Sequence, residues 1–122
     1  MFLLYRISTI IFFPIFSLII FLRRFINKED KKRYLEKITF FKKNVTEKNE
    51  RIWIHAASIG EVNSVLPIIK KINNEYENIF VLLTSSTLSS SQLLKKEMKA
   101  SDKFRHYFFP IDVKFLVEKF LD

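Results

Sequence analysis

The 122-residue sequence contains no cysteine, a single glycine, one tryptophan and three prolines. Without cysteine, disulfides, thiol nucleophiles and thiolate metal sites are all excluded, and the absence fits a cytoplasmic setting. With Gly60 as the only glycine, neither a G-x-G-x-x-G fingerprint nor a P-loop can be present. What is abundant is apolar and basic. Hydrophobic residues make up 48% and charged residues 28%, which excludes a disordered tail, and the length allows one small domain plus one extra element.

The net charge of +8 is concentrated. Arg23 to Lys48 holds ten basic and four acidic residues, whereas the remainder after Asn49 nearly balances. This basic segment directly follows an apolar run, a placement that points to a membrane surface rather than to nucleic acid. Ile7 to Leu22 carries no charge. Counted from Phe2, the run is about 21 residues, close to the ~20 that a helix needs to cross the hydrocarbon core, and Pro14 is tolerated in such a helix. A cleaved signal peptide competes with this reading, but Arg23, Arg24 and Phe25 stand where a small-residue cleavage site would be needed. The basic flank keeps the following chain in the cytoplasm. The expected organisation is an anchor over 1–22, a basic amphipathic linker over 23–50 and an α/β domain over 51–122. Within the linker, Lys28 to Lys48 reads as a helix with Tyr34, Leu35, Ile38 and Phe41 on one stripe. Its lysines are either solvated or set against anionic headgroups.

After Arg51 the pattern alternates between strand and helix. Ile52–Ile54, Ile79–Leu83 and Tyr107–Phe109 are short continuous apolar runs. Val62, Val65, Leu66, Ile69 and Ile72 recur at helical spacing, as do Leu93, Leu94 and Met98, and then Phe115, Leu116, Phe120 and Leu121. This order predicts a parallel sheet, with strands covered on both faces. Ligands of open α/β sheets bind at the carboxyl ends of strands, here the stretches His55 to Glu61, Thr84 to Ser91 and Pro110 to Asp112. Gly60 at a strand-to-helix turn suggests a backbone shape or a close approach that a Cβ would block. Glu61 near a helix start is more often a cap than a catalyst. His55 reads as a hydrogen-bonded structural residue and Asp112 as a helix cap. His106 has no partner at metal-ligand spacing. The hydroxyls of Thr84 to Ser91 are either phosphate ligands or ordinary loop chemistry.

The block Ile52-Trp53-Ile54-His55-Ala56-Ala57-Ser58-Ile59-Gly60-Glu61-Val62 resembles the signature of the 3-deoxy-D-manno-octulosonic acid (Kdo) transferases. In that family a strand ending in Trp-x-His runs into Ser-x-Gly-Glu. The likeness continues through Leu66-Pro67, the Thr84-to-Ser91 loop, Tyr107-Phe108-Phe109-Pro110-Ile111-Asp112 and Phe120-Leu121. Two departures stand out: Glu36-Lys37-Ile38-Thr39 lacks the family's glycine, and Ser90 stands where the threonine-rich loop normally has one. The resemblance implies a Rossmann-like amino-terminal half of a GT-B glycosyltransferase. It further implies inverting transfer of Kdo from CMP-Kdo to a lipid A precursor at the cytoplasmic face of the inner membrane, without a metal or other cofactor. By the same resemblance Glu61 is the general base, and Ser58 and Gly60 bind substrate. The partners implied are membrane lipid and the lipid A precursor, with CMP-Kdo held by a carboxyl-terminal domain expected beyond Asp122. The 122 residues alone are therefore expected to be inactive. A membrane-tethered α/β binding module without catalysis is the alternative.

Overall fold

The computed structural model describes residues 2–39, 50–99 and 103–121. Two compact units divide the chain, Met1–Lys42 with Phe109–Asp122, and Lys43–Phe108.

In the first unit, α1 (Phe2–Phe25) is apolar along its length and long enough to cross a membrane. It runs through Pro14 without interruption, and Ser8 and Thr9 return their hydroxyls to the carbonyls of Leu4 and Arg6. Arg23 and Arg24 complement the carbonyl end of the helix. A left-handed residue ends it. Asn27 has φ 56°, its N–H reaches Arg24 O at 3.3 Å, and Lys28 N–H reaches Arg23 O at 3.0 Å. This is the Schellman arrangement, in which glycine usually fills the position that Asn27 takes here. Asparagine tolerates that conformation because its short polar side chain makes it less costly than for other residues.

The linker departs from the expected helix. Among the described residues of Lys28–Lys48, only Tyr34–Lys37 is helical, as one 3₁₀ turn. Asp30 Oδ1 accepts the backbone N–H groups of Lys32 and Arg33, both at 3.0 Å, so the chain is held in a turn before a longer helix can start. Phe41 and the rest of 40–49 lie outside the described residues. Nor is the linker uniformly solvated. Glu29 and Lys37 are only 4% and 7% exposed; Lys37 Nζ lies 2.6 Å from Glu29 Oε2, and Arg23 Nε lies 3.3 Å from Glu29 Oε1. Lys37 O also accepts the N–H of Ile111 at 2.9 Å, tying this knot to the segment before α4 (Lys114–Leu121). Asp112 is not the α4 cap: the helix starts two residues later, behind the buried Val113, and Asp112 accepts the hydroxyl of Tyr5 instead.

The second unit is a three-stranded parallel sheet, β1 (Glu50–His55), β2 (Ile79–Ser85) and β3 (Phe104–Phe108), in that spatial order. Helices α2 (Ile59–Glu75) and α3 (Leu88–Glu97) make the connections. Val62, Leu66 and Ile69 of α2 stand at positions i, i+4 and i+7, and are buried with Val81, Leu83, Leu94 and Phe104 in one core. The central strand is covered on both faces, as its continuous apolar run predicts. The outer strand β1 is not. Ile52 and Ile54 turn inward while Arg51, Trp53 and His55 are exposed, so its run reads as continuous only because Trp53 is itself apolar.

The Glu29–Lys37 pair yields a prediction. Removing one member of a buried pair strands the other charge and typically costs about 3–5 kcal/mol, whereas replacing both with apolar residues of similar volume is often neutral. Glu29→Ala should lower the thermal midpoint of the detergent-solubilised chain far more than Glu29→Met combined with Lys37→Met. Equal losses in the two variants would show that the pair is not acting as a buried unit.

Candidate functional site

Parallel pairing sets His55 opposite Thr84, so the carboxyl ends of β1 and β2 open side by side onto the starts of α2 and α3. Thr84 is fully buried, and its Oγ1 lies 3.0 Å from Trp53 Nε1 and 2.9 Å from His55 Nδ1. One hydroxyl thus holds the last two side chains on the exposed face of β1, at the end of the strand. His55 takes the hydrogen-bonded structural role expected of it, while His106 lies inside β3 with its Nε2 2.9 Å from Ser85 Oγ.

Beyond His55 the chain turns at Ala56 and Ala57 and enters α2 through Ser58. Ser58 has an extended conformation, and its Oγ accepts the N–H of Glu61 at 3.3 Å. Glu61 answers from the third helical position. Its Oε1 accepts the Ser58 hydroxyl at 2.9 Å, and its Oε2 accepts the Ala57 N–H at 3.1 Å. This reciprocal serine–glutamate pair is a capping box displaced by one residue at its carboxylate end. The Glu61 carboxylate is nonetheless exposed and opens to solvent at the sheet edge. The Ser58 hydroxyl bond lowers its pKa most, followed by the Ala57 N–H; desolvation opposes them, and the charge of His55 and the Ser58 N–H add weaker lowering effects. The group is therefore an oriented carboxylate, ionised at neutral pH.

Gly60 does not fulfil the role its turn position suggests. Its φ is not positive, and a Cβ built on it would meet only Ser58 Oγ, at 3.9 Å, an ordinary contact. Nothing within the described residues requires glycine there. The hydroxyl loop also differs from an open phosphate cradle. Thr84, Ser85, Ser90 and Ser91 are all fully buried, and Thr87 caps α3 by accepting the N–H of Ser90 at 3.2 Å. Ser90 Oγ lies 2.6 Å from Thr87 Oγ1, so the residue that replaces the family's glycine tucks its side chain into the cap. Ser58, Gly60 and Glu61 stand together, whereas Asp112 belongs to the other unit. The Ala57 N–H was missed in the sequence, and the Thr84 hydroxyl, read there as a phosphate ligand or ordinary loop chemistry, instead holds Trp53 and His55. The period-two alternation of Arg51, Trp53 and His55 marked the face on which Thr84 closes.

Two outcomes follow. Gly60→Ala should leave the thermal midpoint unchanged or raise it slightly, because alanine is the better helix former by about 1 kcal/mol and has room. Because the folded pKa of Glu61 is depressed, its stabilising contribution is complete above the unfolded carboxyl pKa and is lost as pH falls through the folded one. Glu61→Gln should therefore melt below the wild type at pH 7 and converge with it in acid. Parallel melting curves across that range would refute the capping role.

A family model described as 3-deoxy-D-manno-octulosonic-acid transferase (kdotransferase) matches residues 32–122. Among curated relatives, the 3-deoxy-D-manno-octulosonic acid transferase of Rickettsia bellii is 34% identical over 109 residues, covering 89% of this chain and 25% of that protein. The Haemophilus influenzae enzyme of the same name is 27% identical over 92 residues, covering 75% of this chain and 21% of its own length. That of Rickettsia felis is 41% identical over 70 residues, covering 57% and 15%. The chain thus spans a quarter or less of these relatives. No solved structure matches it. With the Trp-x-His strand, the Ser-x-Gly-Glu turn and the parallel sheet all inside the matched region or at its centre, the chain belongs to the 3-deoxy-D-manno-octulosonic-acid transferase family.

Proposed function

We propose that these residues form the acceptor-side half of an inverting Kdo transferase of GT-B architecture, with Glu61 as the general base. The observation that carries the reading is the Glu61 carboxylate. It is exposed at the carboxyl edge of a parallel sheet, and two short-range donors fix it in position without burying it. A sugar hydroxyl is a poor nucleophile. A carboxylate within hydrogen-bond reach takes its proton as the new bond to the anomeric carbon forms, while CMP leaves with the electron pair of the bond that breaks. Each Glu61 oxygen keeps a lone pair beyond the one used in capping, so the acceptor hydroxyl can approach without dismantling the turn. Lowering the pKa weakens the base but keeps it deprotonated, and the hydrogen bonds fix its direction.

Ser58 and Gly60 complete the acceptor side in this reading. Ser58 orients the carboxylate, and the missing Cβ at Gly60 leaves space beside it. No metal or other cofactor enters the reaction. The donor CMP-Kdo is held by the carboxyl-terminal domain of the full enzyme, and the lipid A precursor is presented at the cytoplasmic face of the inner membrane. In support of that location are the apolar length of α1 and the exposed Lys28, Lys31 and Lys32 that follow it.

The test replaces the matching segment of the Rickettsia bellii enzyme with residues 1–122 and measures Kdo transfer. Glu61→Gln should reduce kcat by about 10²–10⁴-fold, the usual loss of a general base, with folding and membrane attachment retained. A folded variant with near-normal turnover would leave Glu61 as a cap alone. Residues 1–122 by themselves should show no saturable CMP binding in calorimetry; saturable binding would overturn the assignment of the donor to the other domain.

A further inference from the structure

The apolar helix has one side that differs from the others. Thr9, Phe13, Ser17, Ile20 and Arg24 are half-buried, while the rest of α1 is exposed. Their spacings of four, four, three and four residues place them on a single stripe about 80° wide. Arg6, the one charge interrupting the apolar run, falls on the same stripe at three residues before Thr9. Leu4, Ile7, Ile11, Ile15, Leu18 and Leu22 lie directly opposite, and all are exposed.

Contacts along the stripe side run the full length of the helix. Tyr5 donates its hydroxyl to Asp112, Phe13 meets Phe115 edge-on at 5.6 Å between ring centroids, and Phe21 lies 6.4 Å from Tyr34. The guanidinium of Arg24 stands 5.0 Å from the centre of the Tyr34 ring. From Tyr5 to Arg24 the helix rises about 28 Å, nearly the whole ~30 Å of a bilayer core. A helix crossing the bilayer would therefore carry α4, with Lys114 and Glu118 paired at 3.3 Å on its surface, alongside it into hydrocarbon. Charged side chains at that depth are strongly disfavoured.

We propose that α1 lies in the plane of the membrane. It embeds its Leu4–Leu22 side in a single leaflet and keeps the Thr9–Arg24 stripe against α4 and the 3₁₀ turn at Tyr34–Lys37. This rests on the membrane reading given above and replaces a spanning anchor with a monotopic one. The exposed side is a continuous apolar strip of lipid-like chemistry, and the exposed Lys28, Lys31 and Lys32 at its carboxyl end match anionic headgroups of the same leaflet. Both ends of the helix then remain on one side of the membrane.

The absence of native cysteine makes the test direct. The full chain carrying Phe13→Cys and Phe115→Cys is expressed in bacterial membranes and treated with a short, permeant bis-maleimide. Tyr5→Cys with Asp112→Cys serves as an independent second pair. Intramolecular cross-linking of either pair in the membrane fraction is expected. In a spanning arrangement Phe13 would sit about 18 Å inside from Phe25, out of reach of a residue in water. A Phe2→Cys variant is probed in parallel with an impermeant maleimide on intact spheroplasts. Labelling from the outer face, with neither pair cross-linked, would establish a spanning helix and overturn the proposal. Recovery of the unaltered chain in the soluble fraction, as a monomer or as a dimer burying the strip, would overturn the membrane reading itself.

Discussion

A single buried hydroxyl sets the geometry of the candidate site. Thr84 lies at the end of the central strand, where its Oγ1 meets both Trp53 Nε1 and His55 Nδ1 of the neighbouring strand. Parallel register alone would align β1 with β2, but it would leave the last residues of an exposed outer strand free to fray. With both side chains tied to one atom, the chain leaves β1 at a defined point. Six residues after His55, Glu61 is in place to take the Ala57 N–H and the Ser58 hydroxyl. The order is hierarchical, from buried hydroxyl to fixed strand end, from strand end to capped helix, and from capped helix to aimed carboxylate.

Capping and the proposed role as general base make compatible demands on Glu61. A cap needs an ionised acceptor fixed relative to the first turn of the helix, and a base needs an ionised acceptor fixed relative to its substrate. The tension lies in basicity, since each hydrogen bond that orients the carboxylate also lowers its affinity for a proton. A base of this kind acts through position more than through strength. That would suit the transfer proposed above, in which the nucleotide departs readily and the proton need only be accepted late.

The sheet was legible where burial was unambiguous. Ile79–Leu83 is apolar throughout because β2 is central, and the strand extends to Ser85 because the two hydroxyl residues that follow find partners inside. The third strand begins at Phe104, earlier than Tyr107, since Arg105 and His106 interrupt its apolar run yet are only half-buried. The linker was less legible. A stripe of Tyr34, Leu35 and Ile38 suggests a helix, but Asp30 captures two backbone donors ahead of it, a local competition that periodicity does not register. Lys37 was read as solvated or set against headgroups because its partner, Glu29, is eight residues away and meets it only across the turn that Asp30 holds. Ser58 and Glu61 were legible by motif and Gly60 by rarity, yet the reason for the glycine is not found in the chain's own packing.

A helix seated in one leaflet also changes the lipid around it. A cylinder about 36 Å long and ~10 Å wide takes up lateral area on its own side of the bilayer and none on the other. Monolayers resist such one-sided expansion unless they are already curved or loosely packed, and insertion is correspondingly sensitive to curvature and lipid composition. On the in-plane arrangement proposed above, the one-sided covering of α1 would make packing defects in the membrane, as well as its charge, part of what determines where this chain resides.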